Sequence, residues 1–340
     1  MDHEKFRHMH GSAMSSMKKA EFQVALKSKK QIAEGTWAFT FEKPEGFTFK
    51  AGQHIRMTLL NPPETDSEGN SRFFSPASSP QDTGLVIALR MRDTAFKRVL
   101  SRMQIGEKVL IQILLGVPHG AFALHEDATK PAVFLVGGIG IAPAYSMIKD
   151  ATERKLPHEI FLFYSNRRPE DAPFLQELQD LAKRNPNFTL IATMTEPEKS
   201  AKPWQGETGR IDRSLLTKYV TDLQSPMYYV AGLPEMASAM QKLLKELGIH
   251  EDNIHAEEFS GFDLNQMTRA APHPWKRHVL FVAIALVVIA VVIIHISITT
   301  SLFKSGAFSF QNPLLYLMIV GLLILGMFKF NHIRSLVKKK

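Results

Sequence analysis

The sequence predicts an antiparallel β-barrel, then a doubly wound parallel α/β lobe, then a C-terminal pair of membrane-spanning helices. Three observations carry this. Residues 21–128 are short β-type runs separated by turn residues, with one plausible helix. Beyond Pro131, apolar strands alternate with amphipathic helices. From Val279 onward come two long charge-free stretches. The 340 residues, 45% of them hydrophobic, suffice for several domains with their own cores.

The first 20 residues are polar, lack the apolar centre of a signal peptide, and are expected to be a disordered tail. In the barrel region, "FQVALKSKKQ", "TWAFTFEKP", "HIRMTLLN", "LVIALRMR" and "KVLIQILLG" read as strands, punctuated by Gly52, Gly69, Gly84 and Gly106. "TAFKRVLSRM" is the helix, and closely spaced strands with so little helix suggest a small barrel. In residues 129–263, "AVFLVGG", "EIFLFYSN", "FTLIATM" and "MYYVAGL" are buried-type strands. "APFLQELQDLAKR" and "EMASAMQKLLKELGI" carry apolar residues three and four apart, so strands and helices alternate around a parallel sheet.

Residues 264–340 read as a transmembrane hairpin with spans at about 279–300 and 312–330, since about 20 apolar residues cross a bilayer as a helix. Lys276, Arg277, Arg334 and Lys338 to Lys340 flank the outer ends, against Lys304 in the turn. By the positive-inside rule, the chain is expected to be a two-span integral membrane protein with its soluble part and both termini in the cytoplasm. The net charge of +8 therefore reads as membrane flanking, with no nucleic-acid partner. The chain has no cysteine, which excludes disulfides, thiolate zinc sites and a Cys-ligated iron–sulfur cluster within it. No metal-ligand spacing is present, and His278, His295 and His332 read as interfacial, not as haem ligands.

Two stretches carry chemistry. "SRFFSPASSP" places Arg72, Phe74 and Ser75 together. An arginine pairs with a pyrophosphate, an aromatic ring covers an isoalloxazine face, and a hydroxyl reaches the ring edge. "FLVGGIGIAP" ends a strand in Gly137, Gly138 and Gly140 and places Pro143 in the first turn of the next helix, where a missing N–H is tolerated. Such a turn brings backbone and a helix N-terminus to a dinucleotide diphosphate.

Along the chain, "AGQHIRM", "RFFSPASSP", "GVPHGAF", "LVGGIGIAP", "YYVAGLPEM" and "EEFSGF" follow one another in an order that resembles the ferredoxin–NADP reductase superfamily, specifically its single-flavin oxidoreductases. The resemblance covers about Glu21 to Phe262. It implies an FAD-binding barrel and an NAD(P)-binding lobe. It also implies that Arg72 holds the FAD pyrophosphate, Phe74 packs on the isoalloxazine, and Ser75 hydrogen-bonds near N5. Ala77 and Ser78 would add backbone contacts. Thr94, Ala95 and Phe96 would offer helix N-terminal N–H groups, and Arg90 charge.

On the nucleotide side, the resemblance assigns Gly137, Gly138, Gly140 and Pro143 to the diphosphate turn, and Ala231, Gly232, Pro234 and Met236 to the loop beneath the nicotinamide. Ala231 stands where many relatives have cysteine. Arg167 and Arg168 are placed to grip a 2′-phosphate, favouring NADPH slightly over NADH. Glu258 and Phe259 are the closing residues, for proton relay and for shielding the ring. Ser75, Glu258 and Phe259 are thus the expected catalytic residues. The implied activity is hydride transfer from NAD(P)H to FAD, then electron transfer to a separate acceptor: a ferredoxin, a cytochrome or a quinone. The alternatives are a ferric-chelate or quinone reductase component and, from another class, a non-catalytic nucleotide-sensing or assembly subunit. The hairpin would tether the enzyme to the bilayer and offers a route to oligomers.

Overall fold

The computed structural model describes residues 19–114 and 122–258. The N-terminal tail, residues 115–121 of the expected barrel-closing turn, and residues 259–340 with both expected spans lie outside them. Among the described residues no helix is long and apolar enough to cross a membrane.

The first lobe contains β1 (Lys19–Ala33), β2 (Thr36–Glu42), β3 (Ile55–Leu59), β4 (Ser71–Phe74), β5 (Gly84–Arg90), α1 (Ala95–Arg102) and β6 (Lys108–Leu114). Alternation sets its core. Val24, Leu26, Phe39, Phe41, Ile55, Met57, Leu85, Ile87, Val109 and Ile111 all point inward, two residues apart along their strands. Phe96 and Leu100 of α1 cover one end of this cluster. The 15-residue β1 pairs antiparallel with β6 through its first half and with β2 through its second. Register shifts at Leu26/Ser28 and Gln31/Ala33 bend it enough to serve both.

The strand order is β4-β3-β6-β1-β2-β5. The expected closed barrel is thus a curled six-stranded sheet, open between β4 and β5. The reason lies at those edges: β4 has only four residues, and its side chains and the end of β5 face a cleft instead of each other. That cleft opens toward the second lobe.

The second lobe contains β7 (Ala132–Gly137), α2 (Ile141–Glu153), β8 (Ile160–Asn166), α3 (Leu175–Arg184), β9 (Phe188–Met194), β10 (Glu207–Thr208), α4 (Arg213–Tyr219), β11 (Met227–Gly232), α5 (Pro234–Glu246) and β12 (Ile254–Glu258). All pairs are parallel, in the order β10-β9-β8-β7-β11-β12. The sheet is doubly wound. Phe134 and Val136 of β7 pack toward α2 and α3, while Val133 and Leu135 pack toward α4 and α5. From β7 the chain runs outward through β8, β9 and β10 and then returns to β11 on the other side. The strand order therefore reverses at β7, and ligands of such sheets bind beyond the carboxyl ends at that point. Sequence reading lacked β4, β10, α4 and β12, all of them short.

Candidate active site

A cleft of about 510 Å³ lies between the open side of the curled sheet and the carboxyl ends of β7, β8, β9 and β11. Arg72, Phe74, Ser75, Arg90, Thr94 and Phe96 line one wall. Gly137, Gly138, Arg167 and Met236 line the other. The structure thus brings the two sequence motifs, about 60 residues apart, into one space.

The glycine turn divides its labour differently from the expectation. Gly138 has φ +54, and a Cβ there would meet nothing within 4 Å, so the left-handed backbone opens onto the cleft. Gly140 is buried, and a Cβ would stand 2.5 Å from the Ala231 carbonyl oxygen. Gly140 is small because α2 packs against β11, not because a diphosphate approaches it. Pro143 is buried in the first turn of α2, where its ring meets no hydrogen-bond requirement. Ala231, Gly232 and Pro234 shape the β11–α5 turn without lining the cleft, whereas Leu233, half exposed, and Met236 do line it.

Ala77 and Ser78 are buried and do not line the cleft, contrary to the expected backbone contacts with a cofactor. The Ala77 N–H donates to Val86, and the Ser78 carbonyl accepts the Ser146 hydroxyl at 2.6 Å, joining the lobes. Ala95 is buried as well. Thr94 caps α1, its side chain accepting from the Lys97 N–H.

Arg72 lies against Phe96, its guanidinium carbon 5.2 Å from the ring centre, and Phe74 packs on the same ring. Its guanidinium is already engaged. Nη2 donates to Asp66 at 2.6 Å, Nε faces Glu68 at 2.9 Å, and Nη1 reaches the carbonyls of Glu68, Gly69 and Ser71. The Arg72 bond, and then the Glu68 N–H that donates to Asp66 Oδ1 at 3.1 Å, hold the Asp66 carboxyl below the usual range. One carboxylate therefore engages the arginine assigned to a pyrophosphate.

Behind Ser75 lies a buried acid. The Ser75 hydroxyl donates to Glu257 Oε1 at 2.9 Å, and His54 Nδ1 sits 2.9 Å from Ser75 Oγ and 3.2 Å from Glu257 Oε1. With the serine proton on Glu257, His54 Nδ1–H is the donor in both of its contacts. Among the described residues Glu257 Oε2 has no partner. Burial raises the Glu257 pKa above its ordinary value of 4.5, against the opposing effects of His54 and Ser75. Glu257, not Glu258, makes the contact with Ser75. The Glu258 side chain and Phe259 lie outside the described residues. Pairing of β12 with β11 places Glu257 opposite Ala231 in the sheet, with its carboxyl buried.

The two arginines of "NRRP" separate. Arg168 donates to Asp171 at 2.9 Å and to Glu34 of the first lobe at 2.6 Å, and it does not line the cleft. Arg90 and Arg167 stand 3.8 Å from the same Asp171, which is 3% exposed. Asp171 is thus the centre of a bridge between lobes. Arg167, 56% exposed, remains at the cleft beside Thr195.

This arrangement of an open antiparallel sheet facing a parallel sheet's switch point has solved counterparts. A ferredoxin NADP+ reductase from Neisseria gonorrhoeae, solved with bound FAD and NADP, matches 71% of this chain and 99% of its own, with a TM-score of 0.56 and 23% identity. An Amycolatopsis cytochrome P450 reductase matches 72% of this chain and 71% of its own, with a TM-score of 0.60 and 21% identity. The fold is shared with these two reductases.

Residues 134–242 match the oxidoreductase NAD-binding domain family. In sequence, the chain is 26% identical over 214 residues to reductase component 1 of terephthalate 1,2-dioxygenase from Comamonas sp, spanning 62% of this chain and 60% of that one. It is 30% identical over 209 residues to one subunit of the Na(+)-translocating NADH-quinone reductase from Klebsiella pneumoniae, spanning 57% and 50%. The match thus covers less than two thirds of these relatives' length.

The residues present fit a flavin and a nicotinamide dinucleotide. Aromatic Phe74, the Ser75 hydroxyl backed by a buried acid with an orphan oxygen, and cations along one wall suit FAD. The open left-handed turn at Gly138 and the nearby Arg167 suit a dinucleotide opposite it.

Proposed function

We propose that the chain is an FAD-dependent NAD(P)H oxidoreductase that passes electrons to a separate acceptor. One observation carries the reading: the Arg72–Phe74–Ser75 edge and the Gly137–Gly138 turn line a single interlobe cleft at the point where the parallel sheet reverses order. Bound there, FAD supplies the hydride-accepting centre and releases electrons singly or in pairs.

The chain's own residues do the rest. Phe74 and Phe96 form an apolar wall that excludes water from the ring's side of the cleft. Ser75 presents its oxygen to the cleft with the hydroxyl proton directed to Glu257. Glu257, protonated more readily than an exposed acid, lies one hydrogen bond from the cleft, and His54 contacts both partners. Gly138 and the start of α2 receive the nicotinamide dinucleotide's diphosphate, and Met236 and Leu233 face its reactive end. Arg167 favours a 2′-phosphate and hence NADPH.

The reading includes a membrane anchor. Its support is the pair of charge-free stretches at about 279–300 and 312–330 with their basic flanks, which would hold the catalytic lobes at the cytoplasmic surface. Tethering raises the effective concentration of a membrane acceptor. A quinone reductase component is the second reading, favoured by the 30% identity to the Klebsiella pneumoniae quinone reductase protein. The acceptor is tested by mixing the purified full-length chain with NADPH or NADH and, in turn, a ferredoxin, a cytochrome, a quinone and a ferric chelate. Turnover with one of these supports the proposal, and quinone turnover with no ferredoxin activity selects the second reading. A colourless protein that NAD(P)H leaves spectroscopically unchanged would favour a nucleotide-sensing or assembly subunit.

A further inference from the structure

Three cationic side chains line the cleft beside the start of α1: Arg72, Arg92 and Lys97. They are not equally available to an anion. Of the five N–H donors of the Arg72 guanidinium, Asp66, Glu68 and the three carbonyls of the 68–71 turn leave at most one. The helix end is also partly spent, because the Lys97 N–H goes to the Thr94 hydroxyl.

Lys97 is the opposite case. Among the described residues its ammonium makes one hydrogen bond, to the Arg90 carbonyl at 2.7 Å, which leaves two donors for other partners. Among the described residues no carboxylate lies within ion-pairing distance of it. The side chain is partly buried on the cleft wall, with the charges of Arg92 and Arg72 close by. Burial, then these two like charges, lowers its pKa to about 8. A half-buried ammonium among like charges is costly unless an anion joins it. Lys97 lines the cleft itself.

We propose that Lys97 is a diphosphate-binding residue of the flavin site, donating directly to the ligand while Asp66 and Glu68 hold Arg72 in place behind it. This rests on the reading of the cleft as an FAD site. In the sequence, "DTAFKRVL" shows only an amphipathic helix, in which a lysine reads as solvated. The fold turns it inward at the first turn of α1.

The test compares FAD with riboflavin, which lacks the diphosphate, on the full-length chain after removal of bound flavin. Lys97→Met is expected to weaken FAD about tenfold or more, the worth of one charge-assisted hydrogen bond, while riboflavin affinity stays within about twofold. Lys97→Arg, which keeps the charge, should retain FAD within about threefold by the same reckoning. Equal losses for FAD and riboflavin would assign Lys97 only the structural bond to Arg90 and overturn the proposal, as would unchanged FAD affinity. A wild-type chain that takes up neither flavin overturns instead the reading beneath it.

Discussion

Ser75 and Glu257, 182 residues apart in sequence, share a hydrogen bond of 2.9 Å that joins the residue just after the edge strand of the first lobe to the last described strand of the second. The bond makes the cleft a property of both lobes, since neither alone presents a hydroxyl backed by a buried acid.

Because the folded pKa of Glu257 is raised, its linkage has a definite sign. The folded state holds the proton where the unfolded chain has released it, so this contribution to stability is full below 4.5 and is lost as pH rises toward the folded value. Glu257→Gln keeps an oxygen for Ser75 and removes the titration. Its melting temperature is expected to exceed the wild type's at about pH 8 and to converge with it near pH 4. A constant difference across that range would remove the buried-acid assignment. The same variant should flatten the pH profile of flavin reduction, since it removes the titrating group behind Ser75.

The glycine turn yields a contrast. Gly140→Ala drives a Cβ into the Ala231 backbone and is expected to cost several kcal/mol, seen as lost soluble protein or a large fall in melting temperature. Gly138→Ala meets no atom but must adopt φ +54, so it should cost about 1 kcal/mol and mainly weaken nucleotide binding. Equivalent effects of the two would contradict this division.

Arg167 and Arg168 should also behave differently. Arg167→Gln is expected to raise the KM for NADPH more than that for NADH. Arg168→Gln breaks the Glu34–Asp171 bridge and leaves a buried carboxylate short of a partner. It should lower the melting temperature and leave the ratio of the two KM values unchanged. Steady-state kinetics with both nucleotides, beside thermal melts, separates these roles.

These cases show where sequence reading stops. The strands of "TWAFTFE" and "AVFLVGG" and the turn that follows the latter are written locally, in alternation, apolar runs and glycine spacing, and they fold as read. The partners of Arg168 are not, because Glu34 reaches it from 134 residues away. The choice of Glu257 over Glu258 depends on strand pairing, and Asp66's hold on Arg72 depends on how residues 61–70 fold back. The open side of the first sheet was hidden for the same reason: whether β4 pairs with β5 is a long-range matter that no single run of residues declares.

The strap between the lobes adds a prediction about stability. The Tyr229 hydroxyl accepts the His125 backbone N–H and lies 2.9 Å from His125 Nδ1, while His125 Nε2 meets the Lys130 carbonyl. Tyr229→Phe unpairs two half-buried groups of His125 and is expected to cost about 1 kcal/mol in denaturant titrations. Burial lowers the pKa of His125 and that of His255, which stacks on Tyr229. Their contribution is therefore present above 6.5 and lost as pH falls through their folded values, so the wild type should lose stability on acidification below that point.

The central claim, that one cleft holds a flavin opposite a nicotinamide dinucleotide, is tested most directly by anaerobic titration of the purified full-length chain with NADPH and with NADH, following visible absorbance. The expected result is a yellow protein whose flavin band bleaches on addition of either nucleotide, at lower concentrations of NADPH. A colourless protein, or a flavin band that neither nucleotide alters, would contradict it.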